Sequence, residues 1–309
     1  FVISVMMSLP AVFIRQLDGH QGAVRAVRFN VNGNYCLTCG SDKFLKLWNP
    51  FTGVELKSYG GHGYEVLDAT ASDDSARISS CSADKTVVLW DVATGQIVRK
   101  FRGHISRVNC VQFNRPECSL ILSGSYDSSV RIWDTKSRNT EPVQILDEAK
   151  DSVTSLHVSE HEILTGSVDC NVRRYDIRIG RMIVDHIGQP VTSVTLSKDG
   201  QCILMSSLDN TVRLLDKDTG ELLNDFKGHK NEKYKVDSCL SHTDSEVVSG
   251  SEDGRICFWD LIEGKLMHTI EKAHKTTVYS LSYHPEKAAM LSASSDGTVK
   301  LWQDKSGGD

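Results

Sequence analysis

Short apolar runs separated by polar turns recur along the whole chain. Residues 86–90 and 129–133 are such runs, and each follows an Asp-Lys or Asp-Ser pair that is typical of a tight turn. A further apolar run precedes each turn and ends in small residues, as at 121–125, and a last one follows a glycine turn, as at 95–101. No long segment has the 3.6-residue period of an amphipathic helix. The pattern therefore predicts an all-β protein.

This unit recurs seven times, and the residues that close successive repeats are 40 to 44 positions apart, a spacing typical of β-propeller blades. An aspartate lies six positions before each closing residue. The closing residues are Trp48, Trp90, Trp133, Tyr175, Leu215, Trp259 and Trp302, and the aspartates are Asp42, Asp84, Asp127, Asp169, Asp209, Asp253 and Asp296. We predict one seven-bladed propeller over residues 11–303, with four antiparallel strands in each blade and almost no helix.

The two ends of the propeller are predicted to meet. The seventh repeat lacks a fourth strand, and residues 11–17 have strand character, so this segment should complete blade 7 and close the ring. Residues 1–10 and the tail 304–309 are predicted to lie outside the propeller. The apolar run 1–14 is too short to span a bilayer and has no basic stretch before it, so we expect neither a membrane span nor a signal peptide.

Two dipeptides recur at fixed places in the repeats. They are Gly19-His20, Gly61-His62, Gly103-His104 and Gly228-His229, together with Trp90-Asp91, Trp133-Asp134 and Trp259-Asp260. Over nearly the whole chain this pattern resembles the WD-repeat family. Residues 33–41, 61–68 and 208–223 also resemble a group of WD-repeat proteins that organise mitogen-activated protein kinase cascades, with relatives found in the spliceosome. The resemblance implies a non-enzymatic scaffold without a cofactor, monomeric within larger complexes, in cytoplasm and nucleus, with kinase-cascade and spliceosomal proteins as partners.

Histidine, serine, aspartate and tryptophan recur together within the repeats. A Ser-His-Asp hydrolase site would occur once, whereas this set recurs around the ring. We therefore interpret it as a structural hydrogen-bond network that pairs buried aspartates, as in the WD proteins it resembles. The predicted members are His20, Asp42, Trp48, His62, Ser82, Asp84, Trp90, His104, Ser125, Asp127, Trp133, Asp169, Asp209, His229, Ser251, Asp253, Trp259, His274, Ser294, Asp296 and Trp302.

Three repeats depart from the set. The departures are Gly40 for Ser in repeat 1, Ala149 for His and Tyr175 for Trp in repeat 4, and Ile187 for His and Leu215 for Trp in repeat 5. We therefore expect the hydrogen-bond network to be weak in blades 4 and 5. Asp127→Ala should then cost about 1–3 kcal/mol, and more than Asp209→Ala, whose usual donors are missing.

The loops on one rim supply candidate partner contacts, because rims can vary without disturbing the blades. Side chains of the kind that anchor interfaces occur there, namely Tyr64, Arg107, Tyr126 and Leu208. The loop after the histidine is also longer in repeat 6 than in repeats 1, 2, 3 and 7. We hypothesise that its Lys230, Lys233, Tyr234 and Lys235 contact an acidic or phosphorylated partner. The alternative is an ordinary solvated loop.

Residues 163–178, which end in Tyr-Asp-Ile-Arg178, suggest a second hypothesis about function. This segment resembles the box ending in Trp/Tyr-Asp-x-Arg of substrate receptors for cullin-4 ubiquitin ligases. The alternative function is therefore a ligase substrate receptor, with Arg178 as the adaptor contact.

Charge and cysteine content argue against nucleic-acid binding, disulfide bonds and a cysteine metal site. The chain has 40 acidic and 35 basic residues and a net charge of −5, so it lacks the basic excess that direct nucleic-acid binding requires. Nine cysteines without a framework spacing indicate reduced thiols. Cys36 and Cys39 lie three apart in a strand-like run and should point to opposite faces, so a shared metal or disulfide is disfavoured.

Overall fold

In the computed structural model, which describes residues 9–304, 28 strands form seven four-stranded antiparallel sheets and no helix. Each sheet is one blade, and its first strand lies innermost, where it contacts the first strand of the next blade. The predicted seven-bladed all-β propeller is confirmed. In this part of the chain no helix is long and apolar enough to cross a membrane.

The strands of blades 1 to 4 follow one another along the chain. They are β2 (Val24–Phe29), β3 (Cys36–Gly40), β4 (Phe44–Asn49) and β5 (Val54–Gly60); β6 (Val66–Ala71), β7 (Arg77–Ser82), β8 (Thr86–Asp91) and β9 (Ile97–Arg102); β10 (Val108–Phe113), β11 (Leu120–Ser125), β12 (Val130–Asp134) and β13 (Gln144–Leu146); and β14 (Val153–Val158), β15 (Glu162–Ser167), β16 (Asn171–Asp176) and β17 (Arg181–His186).

Blades 5 and 6 continue in the same way, and blade 7 combines both ends of the chain. The strands are β18 (Val191–Leu196), β19 (Cys202–Ser207), β20 (Thr211–Asp216) and β21 (Leu222–Lys227); β22 (Ser238–Leu240), β23 (Glu246–Gly250), β24 (Ile256–Asp260) and β25 (Leu266–Ile270); and β26 (Val278–Tyr283), β27 (Ala289–Ser294), β28 (Val299–Gln303) and β1 (Val12–Leu17).

The ring is closed by β1, which pairs antiparallel with β28 from Val12 opposite Gln303 to Leu17 opposite Val299. This confirms the predicted role of the N-terminal segment. Just before β1, Leu9 and Ala11 pack against the apolar cluster between blades 6 and 7.

The hydrophobic core is divided among the interfaces between neighbouring blades. Between blades 2 and 3, for example, Val87, Phe101, Val108 and Trp133 form one buried cluster. Burying side chains of this size supplies roughly 1.5–3 kcal/mol each, so the blade interfaces carry most of the fold's stability.

The two cysteines of β3 serve different interfaces. Cys36 packs with Leu291 and Val299 of blade 7, whereas Cys39 packs with Val66 and other residues of blade 2. Their placement on opposite faces of the strand is therefore confirmed. Among residues 9–304 no disulfide forms, and no group of three or more potential ligands could hold a metal ion.

The tight turns that carry the seven aspartates share one backbone feature. In every repeat the residue directly after the aspartate has a positive φ, between 62° and 87°. The seven are Lys43, Lys85, Ser128, Cys170, Asn210, Gly254 and Gly297. These turns, together with the loops before the innermost strands, form one face of the ring, which we call the turn face.

Candidate functional site

Blade 3 shows how the recurrent polar residues are connected. The Nδ1 atom of His104 lies 2.8 Å from Asp127 Oδ2, and its Nε2 atom lies 2.8 Å from the Ser123 hydroxyl. Trp133 donates its indole N–H to that same hydroxyl at 2.8 Å. One hydroxyl thus joins the imidazole and the indole beneath the turn, where all four side chains are buried.

Blades 1, 2 and 7 repeat this arrangement with equivalent residues. The members are His20, Thr38, Asp42 and Trp48; His62, Ser80, Asp84 and Trp90; and His274, Ser292, Asp296 and Trp302. The blade 7 contact is looser, because His274 Nδ1 lies 3.4 Å from Asp296 and 2.9 Å from the Thr298 hydroxyl.

The hydroxyl in these networks is not the predicted one. Ser82, Ser125 and Ser294 lie two residues before the aspartate, whereas the bonded hydroxyl lies four residues before it. Both positions fall on the same face of a strand, so their spacing to the aspartate could not separate them. The nearer serine accepts the N–H of the turn aspartate and donates to a loop carbonyl, as Ser125 does with Asp127 and Arg107.

Blade 1 does not depart from the other blades, although it has a glycine where a serine was expected. Gly40 occupies the nearer position, where an added Cβ would lie 2.5 Å from the Ala23 carbonyl oxygen. The hydroxyl that matters belongs to Thr38, which bonds both His20 and Trp48. Blade 1 therefore has a complete network.

The turn aspartates of these blades are held as carboxylates. Burial would raise the pKa of Asp84, but hydrogen bonds from His62 and Thr86 outweigh it and hold that pKa far below its ordinary value. The same balance lowers the pKa of Asp127. Their contribution to stability is present above the ordinary aspartate pKa and is lost only as the pH falls far into the acid range.

In blades 4 and 5 an arginine takes the place of the missing histidine in the hydrogen-bond network. The expectation that these two blades have weak networks is therefore wrong. Arg173 donates to Asp169 at 2.6 Å and to the Ser167 hydroxyl at 2.8 Å. Arg213 makes the equivalent pair with Asp209 at 2.5 Å. The guanidinium replaces the missing imidazole from within the same blade, because it reaches back from the next strand.

Blade 6 has the predicted residues, but neither its histidine nor its tryptophan is hydrogen-bonded to the aspartate or to the predicted serine. Both ring nitrogens of His229 are buried without a hydrogen-bond partner among residues 9–304, and burial lowers the pKa of His229 to about 4. Asp253 pairs instead with Arg255 at 2.8 Å. Trp259 donates to the carbonyl of Lys227, and Ser251 accepts the N–H of Lys230. The predicted network of His229, Ser251, Asp253 and Trp259 is therefore wrong.

The long loop of repeat 6, residues 230–235, is fixed on the turn face by one carboxylate. Glu252 Oε1 accepts the backbone N–H groups of Glu232, Lys233 and Tyr234 at 2.8, 2.6 and 2.9 Å. Asn231, which belongs to this loop, is fully buried. The loop is thus an ordered part of the propeller.

Three of the predicted loop residues line a concavity at the turn-face end of the central channel. Its volume is about 350 Å³, and we call it the mouth. Lys233, Tyr234 and Lys235 line it from blade 6, and the predicted Arg107 lines it from blade 3. The rest of the lining was not predicted from the sequence and consists of Arg25, Glu65, Leu67, Asn109, Asp237 and Tyr279.

The floor of the mouth is a buried charge cluster shared by four blades. Arg28 lies 3.2 Å from Asp68 and 2.9 Å from Asp237, which also accepts a hydrogen bond from Ser280. Burial lowers the pKa of Lys235, but Asp237 and Asp68 more than offset it, so the pKa is raised and the ammonium stays charged.

The other predicted contacts lie outside the mouth. Tyr64 and Tyr126 are exposed on the turn face, and the Arg107 guanidinium stacks over the Tyr126 ring at 4.9 Å. Lys230 points away and lies 3.6 Å from Glu232, and the partly buried Leu208 does not line the mouth. Arg178 does not lie on the turn face. It lies at the other end of blade 4, in the turn between β16 and β17, where it pairs with Asp176 at 2.9 Å.

Comparison with known families agrees with the fold. The profile of the nucleolar protein 10-like N-terminal domain matches residues 65–245, and that of the WD domain G-beta repeat matches residues 11–49 and 264–303. These matches place the chain among the WD-repeat β-propellers. Proteins of this class mediate protein–protein interactions and are typically not enzymes.

Individual relatives narrow the assignment. WD repeat domain-containing protein 83 of Homo sapiens is 59% identical over 297 residues, covering 96% of this chain and 93% of the relative. Its homolog in Dictyostelium discoideum is 35% identical over 314 residues, with 93% and 96% covered. An uncharacterized WD repeat-containing protein of Schizosaccharomyces pombe is 38% identical over 280 residues. The chain belongs to the WD repeat domain-containing protein 83 family.

Proposed function

We propose that this protein is a non-enzymatic scaffold that assembles kinase-cascade and splicing proteins, in the cytoplasm and in the nucleus. The kinase and splicing partners rest on the resemblance of residues 33–41, 61–68 and 208–223 to organisers of mitogen-activated protein kinase cascades. The observation that carries the proposal is the mouth, a concave cationic and aromatic site on a rigid ring. A scaffold needs such sites so that bound proteins meet at a raised local concentration.

The test is affinity purification of the tagged chain from cell extract, with partners identified by mass spectrometry. The variant combines Lys233→Glu and Tyr234→Ala, and both residues line the mouth. The matched control is Lys230→Glu, which changes the same loop outside the mouth. We expect kinase-cascade or splicing proteins with the wild type and the control, and their loss with the double variant. Recovery of neither group by the wild type would contradict the proposal.

The alternative function is that of a substrate receptor for a cullin-4 ligase. It is favoured by the exposure of Arg178 between Ile177 and Ile179, whose side chains are 57% and 69% exposed, since these three could form one contact. Co-purification of the ligase adaptor, abolished by Arg178→Ala and kept by Arg181→Ala, is expected for this function. Absence of the adaptor from the wild-type sample excludes it.

A further inference from the structure

Two of the four cations that line the mouth have no carboxylate partner among the described residues. Arg25 is paired with Glu65 at 2.9 Å, and Lys235 faces Asp237 and Asp68. Arg107 is stacked on the Tyr126 ring, and the Lys233 side chain makes no ion pair with any residue that the structure describes. The mouth therefore carries about two uncompensated positive charges, although the whole chain has a net charge of −5.

These charges sit beside an aromatic wall. The rings of Tyr234 and Tyr279 meet edge to face with their centroids 5.9 Å apart, and the Arg25 guanidinium lies 4.9 Å from the Tyr279 ring centroid. The concavity of about 350 Å³ suits one side chain and its neighbouring backbone. An extended acidic surface would instead need cations spread along the face.

The cationic loop is held in place before any partner arrives. Glu252 accepts three consecutive N–H groups of the loop, including that of Lys233. Fixing the loop in advance lowers the entropy lost on binding. Glu252 therefore acts as a positioning residue for Lys233.

We propose that the mouth binds a phosphorylated serine or threonine side chain of a partner protein, with the phosphoryl group between Arg107 and Lys233. This inference rests on the proposed function, because it assumes that the turn face binds partners. A phosphoryl group carries a charge of roughly −1.5 to −2 at neutral pH, which matches the two unpaired cations. Arginine presents a planar fork to such oxygens, and lysine adds a second charge. The tyrosines contact the flanking residues.

The experiment measures fluorescence anisotropy of the purified full chain with labelled degenerate peptides. The peptides carry a central phosphoserine, an unmodified serine or three consecutive glutamates, and a single-stranded RNA is the fourth probe. We expect phosphoserine peptides to bind at least about tenfold more tightly than each of the others. Arg107→Gln and Lys233→Gln should each weaken that binding roughly tenfold, the loss of one charge-assisted hydrogen bond. Lys230→Gln should leave it unchanged.

Glu252 offers a separate check on positioning. Glu252→Ala removes the acceptor and should weaken phosphoserine binding several-fold, whereas Glu252→Gln keeps an oxygen at the same place and should restore it. Thermal unfolding of both variants shows whether the blades are intact. Binding should also weaken between pH 7.5 and 5.5, because the second pKa of the phosphoryl group is near 6.

Equal affinity for serine and phosphoserine peptides, or for the glutamate peptide or RNA, overturns the proposal, and so does phosphoserine binding that the mouth variants leave intact. Failure here is distinguishable from failure of the scaffold function. If Arg107→Gln with Lys233→Gln still recovers partners from cell extract, only the phosphate site is lost. If the wild type recovers no partners, the scaffold function fails as well.

Discussion

Blades 3 and 6 carry the same residue types in the same order, but only blade 3 joins them. In blade 3, His104 bridges Asp127 and Ser123. In blade 6, the equivalent His229 is buried with two unpaired ring nitrogens. The difference shows that the presence of the four residues does not determine the network.

The two blades differ two residues after the aspartate. In blade 3 this position is Ser129, which donates to Asp127 and leaves the carboxylate facing the histidine. In blade 6 it is Arg255, whose charged group captures Asp253. An ion pair with a guanidinium is stronger than a hydrogen bond from a neutral imidazole to the same carboxylate, and Asp253 pairs with Arg255 and not with His229.

The largest change in stability is expected on removal of an arginine that replaces histidine in the network. Arg173→Met should cost about 3 kcal/mol of unfolding free energy, because it leaves the buried Asp169 carboxylate with hydrogen bonds but without a positively charged partner. Arg255→Met is the control, since the pair with Asp253 is partly exposed and should be worth less than about 1 kcal/mol. Urea unfolding of both variants measures the difference. Equal losses would mean that the arginines of blades 4 and 6 have the same role.

The next test compares the two histidines directly. His104→Leu should cost about 2–3 kcal/mol, because Asp127 and Ser123 each lose one of their buried hydrogen-bond partners. His229→Leu should change stability by less than about 1 kcal/mol, since it removes two unpaired nitrogens. Thermal unfolding at pH 7.5 gives both values. A large loss for His229→Leu would show that its ring is bonded after all.

The pH dependence of stability separates the same residues. Burial lowers the pKa of His229 to about 4. Between pH 6.5 and 4 this histidine is therefore protonated in the unfolded chain but neutral in the folded chain. This contribution to stability is present above pH 6.5 and is lost as the pH falls towards 4, by about 2–3 kcal/mol. His229→Leu should unfold with a shallower decline over this window. Parallel wild-type and variant curves would contradict the assignment.

The smallest effect on stability comes from an attempt to rebuild the blade 6 network. Arg255→Thr restores the hydroxyl found at this position in blades 2 and 7, as Thr86 and Thr298, and frees Asp253 for His229. Pairing with a carboxylate should raise the pKa of His229 from about 4 towards its ordinary value. NMR titration of the imidazole measures this. An unchanged pKa would mean that the long loop, and not Arg255, keeps the histidine apart.

The blades could be predicted from the sequence because each turn aspartate and closing residue lies within one repeat. The arginine networks also left a signal, since Arg173 and Arg213 each lie four residues after the aspartate in the two repeats that lack histidine. The bonded hydroxyl could not be chosen, because Ser123 and Ser125 share a strand face.

Only some of the residues that line the mouth could be predicted from the sequence, and the reason is different. Loop length singled out Lys233 and its neighbours, which are contiguous. Arg25 and Tyr279 lie on the innermost strands of blades 1 and 7 and give no local signal. Only closure of the ring brings them beside the loop, and that contact is set by tertiary packing.

The pairing of β1 with β28 also bears on how the chain is made. Because β1 precedes the other strands of the ring and pairs with β28, which follows them, blade 7 cannot form until all seven repeats have been synthesised. Until then β28 is absent and β1 has an unpaired edge, which is open to other strands. Contacts this distant in sequence also close slowly. The nascent chain therefore carries an exposed strand edge until the last repeat has been made, and aggregation competes with ring closure during that interval.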